Sequence, residues 1–196
     1  MAHFFYQQAI YLDKKDGLPP PYVHYQLSRI AFIEGNLDVA MQEIYNELDI
    51  YPQNTHTYYI KGLTLGYMNR EHEAIDAFSK FIEYKPESWA ARNDKAWLQF
   101  RIGEIDEAML TILPAVQNHP DNPWLLNTFG VLLMNQGHFT EAENALNRAL
   151  ELSMIMTEES WGRAYPGNSP QIYKQGLDAM RKTIKENLTK IKSRQN

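Results

Sequence analysis

Residues 125–152 read LLNTFGVLLMNQGHFTEAENALNRALEL, a stretch that divides at Gly137 into two helices joined by a turn. Working back 34 residues at a time from Gly137 reaches Gly103, Asn69 and Gly35, residues that tolerate the left-handed conformation a helix end requires. Ala142 repeats at the same interval as Ala108, Ala74 and Ala40, and Pro120, Pro86 and Pro52 stand 34 residues apart. A period of that length is too long for a heptad and too short for a domain, so it marks one supersecondary unit copied along the chain. Four copies follow without insertion: 21–54, 55–88, 89–122 and 123–156.

Each copy predicts an antiparallel helix pair. Three residues after the turn stand Asp38, His72, Asp106 and Thr140, three of which can accept a hydrogen bond from the first free amides of the second helix. Proline cannot continue a helix and disfavours helical geometry in the residue before it, so each repeated proline ends a second helix. The next first helix then starts with Ser88 as a capping hydroxyl, or with Asn122 and Pro123 as cap and first-turn proline. Pro114, inside the second helix of the third copy, removes a backbone hydrogen bond and opposes the carbonyl of Leu110. A kink is expected there, tolerated on the convex side.

These residues resemble the tetratricopeptide repeat, a helix-turn-helix array unit of the same length. In the fourth copy Gly130, Leu133, Gly137, Ala142, Leu146, Ala149 and Leu150 fall on the family's motif positions, and the second copy keeps Tyr58, Gly62, Leu65, Ala74, Phe78 and Pro86. Departures are Lys61 and Lys95 where leucine is usual, Gln99 for tyrosine, and Phe81 and Glu47 where a small residue is usual. The resemblance spans 136 of 196 residues. It implies an all-α, right-handed α-solenoid.

Both ends depart from the period. Ala2, Tyr6, Ala9 and Ile10 have the spacing of Ala142, Leu146, Ala149 and Leu150, so residues 1–20 read as the second helix of another repeat plus a linker, with Gly17–Pro20 as a four-residue insertion. That half repeat is either a terminal cap or the remnant of a longer array. In residues 157–196, Thr157–Asn168 reads as a loop whose aromatics, Trp161 and Tyr165, pack on the last repeat. Ser169 and Pro170 then signal a helix start, and Tyr173, Leu177, Met180, Ile184, Leu188 and Ile191 share one face of a long amphipathic helix. This helix is expected to cap the solenoid with its apolar stripe on the fourth repeat; a dimer seam or a partner-binding helix is the alternative.

Composition narrows the function classes. No run of about 18 apolar residues is present to cross a bilayer, and the N-terminus lacks the basic start and small-residue cleavage site of a secretory signal. A cytoplasmic location is expected. The absence of cysteine removes thiolate catalysis and Cys-based zinc sites. Net charge is −5, with 7 basic and 2 acidic residues from position 174 onward, which leaves the body near −10. One short basic helix on an acidic body is a poor footprint for nucleic acid or acidic lipid. The histidines at 3, 24, 56, 72, 119 and 138 show no metal-ligand spacing, and no phosphate loop follows a strand. No catalytic residue, metal or cofactor is expected.

In such arrays the first helices of successive repeats line a concave groove, and the resemblance implies that their second, fifth, sixth, ninth, twelfth and thirteenth positions face a ligand. Eight of those 24 positions are aromatic here, against 24 of all 196 residues, so the face is enriched nearly threefold. Aromatic anchors with hydrogen-bonding neighbours suit a peptide segment of a protein partner. The implied peptide-binding residues are Tyr25, Arg29, Tyr59, Leu63, Asn93, Trp97, Arg101, Trp124 and Asn127. A clamp for chaperone-tail carboxylates is not expected, because at the matching positions only Arg29 supplies a cation and Asp94 would repel the ligand. The chain therefore reads as a non-enzymatic protein-interaction scaffold, with self-association into a homodimer or larger assembly through the C-terminal helix or N-terminal half repeat as the alternative.

Overall fold

The computed structural model describes residues 19–164 and 176–195. Among them the regular elements are all helical: α1 Val23–Ile33, α2 Leu37–Ile50, α3 Thr55–Tyr67, α4 Glu71–Tyr84, α5 Trp89–Arg101, α6 Ile105–Asn118, α7 Pro123–Asn135, α8 Phe139–Met154, α9 Glu158–Ala164 and α10 Gly176–Gln195. The chain divides into two compact units, Met1–Pro86 and Glu87–Asn196. The first holds α1–α4 and the second α5–α10. The N-terminal half repeat, together with Tyr165, Ser169, Pro170 and Tyr173, lies outside the described residues.

The turn residues govern the helix pairs. Gly35, Asn69, Gly103 and Gly137 have φ of 80°, 56°, 87° and 85°. After each, the next amide reaches back across the helix end: Asn36 N to Ala31 O (2.8 Å), Arg70 N to Leu65 O (3.0 Å), Glu104 N to Gln99 O (2.9 Å) and His138 N to Leu133 O (2.9 Å). This six-to-one closure is the Schellman motif, which satisfies the last carbonyls of the first helix. It also corrects one expectation. The closure is so short that the second helices begin at Leu37, Glu71, Ile105 and Phe139, leaving Asp38, His72, Asp106 and Thr140 one residue inside rather than at the cap. No side-chain cap forms at these four starts. Asp38 and Asp106 act instead as first-turn charges on the helix dipole. The caps expected at the first helices do form: Ser88 Oγ accepts from Ala91 N (3.4 Å), and Asn122 Oδ1 accepts from the amides of Trp124 and Leu125 (both 3.1 Å).

Small residues let paired helices approach. A Cβ on Gly62 would lie 2.8 Å from the Phe78 ring, and one on Gly130 would lie 2.7 Å from Leu146 Cγ. Ala40 and Ala74 are buried in the first unit, as are the large side chains of Leu27, Ile44, Leu65 and Phe78. In the second unit Ala96, Ala108, Ile112, Leu125 and Leu132 form one cluster. Pro114 is exposed and α6 is continuous through it.

The C-terminal helix completes the second unit. α10 packs along α8 and the edge of α7, and it brings Ile184, Leu188 and Ile191 against Leu126, Leu133, Met134, Ala142, Leu146 and Ala149. Each such burial contributes about 1.5–3 kcal/mol before the entropy of ordering the helix is subtracted. Among the described residues of the stripe that offered a dimer seam, Leu177, Ile184, Leu188 and Ile191 are thus buried within the unit. Arg181 adds a polar tie, donating from Nη2 to the carbonyls of Ser153 (2.6 Å) and Met156 (3.2 Å). The loop expected from Thr157 instead contains α9. Its start is a reciprocal cap, with Ser160 N donating to Thr157 Oγ1 (3.1 Å) and Thr157 N to Ser160 Oγ (2.9 Å).

Candidate protein-interaction faces

In the first unit α1 and α3 lie side by side. Tyr25 and Arg29 are one turn apart on α1, so they share a face. The Arg29 guanidinium sits 5.7 Å over the Tyr25 ring and donates to Gln26 Oε1 at 3.0 Å. Tyr22, 48% exposed, meets Tyr25 edge-on at 6.1 Å, and the exposed His56 of α3 lies 6.0 Å from it. Partial burial pushes the Tyr25 phenol above its usual range; Arg29 opposes the shift and Tyr22 adds to it.

Glu47 is a buried carboxylate reaching from α2 to the start of α1. Its Oε1 accepts from Tyr22 N (2.9 Å) and Asn54 Nδ2 (2.7 Å), and its Oε2 accepts from Tyr25 N (3.1 Å). This supplies the anionic cap that the helix N-terminus favours. It also holds Tyr22 at φ 74°, a left-handed conformation that a side-chain-bearing residue adopts at a cost. Glu47 therefore fixes the backbone that carries Tyr22 and Tyr25. Sequence reading registered it only as a departure from a small residue, and that misfit was the available signal.

Tyr59 and Leu63 have more structural surroundings. Tyr59 is half-buried, its ring 5.5 Å from Phe78 and 5.2 Å from Phe81, and Leu63 is buried. They form the floor between helices of the pair.

In the second unit α5 and α7 are neighbours. Trp97 is 39% exposed with its ring 5.3 Å from Phe100, and the exposed Arg101 follows one turn later on the same side. Asn93 is buried, and its Oδ1 accepts from Thr128 Oγ1 at 2.9 Å, which ties α5 to α7. Asn127 is half-buried; its Oδ1 is enclosed and has no hydrogen-bond partner among the described residues. Trp124 is only 9% exposed and lies between Trp89 (5.8 Å) and Trp161 (6.4 Å). The structure thus groups Tyr25 and Arg29 with Tyr22 and His56, and separately groups Trp97 with Phe100 and Arg101.

The model of the tetratricopeptide repeat family matches residues 61–123, and a second model of the same description matches residues 125–153. No curated protein matches the chain. Among solved structures, MamA from Desulfovibrio magneticus RS-1 is similar at a TM-score of 0.64 and 16% identity, over 88% of this chain and 93% of that one. YrrB, described as a TPR protein with an unusual peptide-binding site, is similar at 0.65 and 15% identity, over 93% and 91%. PilW, described as a widely conserved type IV pilus biogenesis factor, is similar at 0.66 and 15% identity, over 95% and 87%. At these identities the likeness is one of fold. The repeated Schellman turns, the small residues at the helix crossings and the family matches agree: the chain is a member of the tetratricopeptide repeat family.

Proposed function

We propose that this chain is a non-catalytic protein-interaction scaffold whose first-helix faces each take a segment of a partner through exposed aromatic anchors. The observation that carries the reading is the exposure of Trp97 beside Phe100 and Arg101, a large apolar ring left at the surface next to a cationic donor. Tryptophan and arginine are the side chains most enriched at binding hot spots. In the first unit the Tyr22, Tyr25 and His56 rings with Arg29 form a second such patch. A partner segment would bury its own apolar side chains on these rings while the guanidinium groups hydrogen-bond its backbone carbonyls. The peptide-binding site in the description of YrrB, a protein of the same fold, supports this reading.

Peptides selected from a random displayed library on the full chain provide the test. Anisotropy titration is expected to show that Trp97→Ala weakens the selected peptides by about tenfold or more, the loss of a hot-spot side chain. Leu110→Ala, an exposed position on a second helix, leaves binding unchanged. Unchanged affinity for Trp97→Ala and for Tyr25→Ala would defeat the proposal.

A further inference from the structure

Trp89 opens α5, Trp124 lies in the first turn of α7 and Trp161 sits in the middle of α9, so three of the four tryptophans meet in the second unit. Their rings are tilted by 35° and 32° at centroid separations of 5.8 and 6.4 Å, within the range favoured by aromatic pairs. Trp161 is 3% exposed, whereas its neighbours Glu158, Glu159, Ser160 and Arg163 are all exposed. Among the described side chains of α9, the Trp161 ring is the buried one. α9 has seven residues, well below the roughly 12–15 at which an isolated helix becomes even marginal in water. α10, by contrast, is anchored through Ile184, Leu188 and Ile191, which do not involve α9.

The remaining wall is Gly176. A Cβ there would collide with the six-membered edge of the Trp161 indole, at Cη2, Cζ3 and Cζ2. The gap left by the missing side chain is thus occupied by the part of the indole that reaches furthest from the backbone, and shorter apolar side chains would leave it empty.

We infer that Trp89, Trp124 and Gly176 form a binding slot for a tryptophan-bearing segment, filled in this chain by its own Trp161, and that a partner segment presenting tryptophan competes with α9 for it. The inference rests on the reading of the first-helix faces as interaction surfaces. A short helix held by one ring opens at the low end of the stability scale, and the competing ring regains the same stacking.

The test uses the full chain and a fluorescently labelled peptide of residues 155–164, IMTEESWGRA. By anisotropy, Trp161→Ala should bind this peptide at least about tenfold more tightly than the wild-type chain, whose slot is filled. The same peptide with alanine for tryptophan should not bind, and adding Trp124→Ala to Trp161→Ala should abolish binding. Trp161→Leu guards against loss of fold in Trp161→Ala: it keeps an apolar side chain on α9 and should show the same gain, whereas adding Gly176→Ala to Trp161→Ala puts a Cβ where the ring sits and should abolish binding. The proposal is overturned if folded Trp161→Ala and Trp161→Leu fail to bind the peptide, or if wild type binds it equally well. Wild-type dimerisation that disappears in Trp161→Ala would place a second copy's α9 in the slot and overturn the assignment to the chain's own helix. Loss of the slot with Trp97-dependent binding of selected peptides intact defeats this inference alone; loss of the Trp97 dependence defeats the broader reading.

Discussion

Replacing Glu47 by alanine removes one side chain and three hydrogen bonds together. The amides of Tyr22 and Tyr25 lose the acceptor that caps α1, and Asn54 Nδ2 loses its partner at a buried position. Loss of a helix cap costs about 1–2 kcal/mol, and a buried donor left without a partner costs about 1–3 kcal/mol more. Together these give a destabilisation of the first unit of about 2–5 kcal/mol. Glu47→Gln keeps the volume and one acceptor oxygen but turns an amide group toward the other donors, so about 1–2 kcal/mol is expected. Repeat arrays need not unfold in one step, and a single denaturation midpoint can miss a local loss. Amide hydrogen exchange at Tyr22 and Tyr25 reads the site directly. Both amides should lose protection in Glu47→Ala, while those of α10 should not. Protection equal to wild type at Tyr22 and Tyr25, with overall stability changed by less than about 1 kcal/mol, would refute the assignment of Glu47 as the support of this face.

Pro114→Ala restores the amide that can donate to Leu110 O, and because Pro114 is exposed no packing is lost; denaturation should show a gain of about 2 kcal/mol, the helix penalty of proline less its rigidifying effect on the unfolded chain. Gly130→Ala should destabilise by about 1 kcal/mol, as crowding against Leu146 outweighs better helix propensity. In a Leu146→Ala background the same change should be neutral or favourable, and a double-mutant cycle measures the difference. Tyr25 should lose its phenolic proton later in the folded than in the unfolded chain, because burial raises its pKa. Above about pH 10 the unfolded state then releases the proton first, so stability falls with rising pH, and Tyr25→Phe should fall less steeply across that window in pH-dependent denaturation.

Periodicity exposed the architecture because its physical requirement is local. A left-handed residue must end each first helix, and Gly35, Asn69, Gly103 and Gly137 all adopt that geometry. The second-helix caps were misplaced because the six-to-one closure draws the chain back sooner than spacing alone reveals. α9 escaped notice because Trp, Pro and Gly in residues 157–168 resemble loop composition, while its start depends on the weak pair Thr157 and Ser160. Exposure was the least legible property. Trp97 and Trp124 both fall on repeat positions implied to face the groove, yet Trp124 is covered by Trp161, a residue 37 positions away whose seat depends on the absence of a side chain at Gly176. Such coverage is a tertiary fact. Glu47 shows the same limit, since its partners Tyr22 and Tyr25 lie 25 and 22 residues upstream.

NMR shift mapping with a selected peptide determines whether partners are taken on the first-helix faces. The largest changes are expected on the Trp97 indole and Phe100 in the second unit, or on Tyr22, Tyr25 and Arg29 in the first, while Leu110 and Leu113 on α6 stay unmoved. Changes concentrated at Leu110 and Leu113, with the Trp97 and Tyr25 signals unaltered, would contradict binding on the first-helix faces.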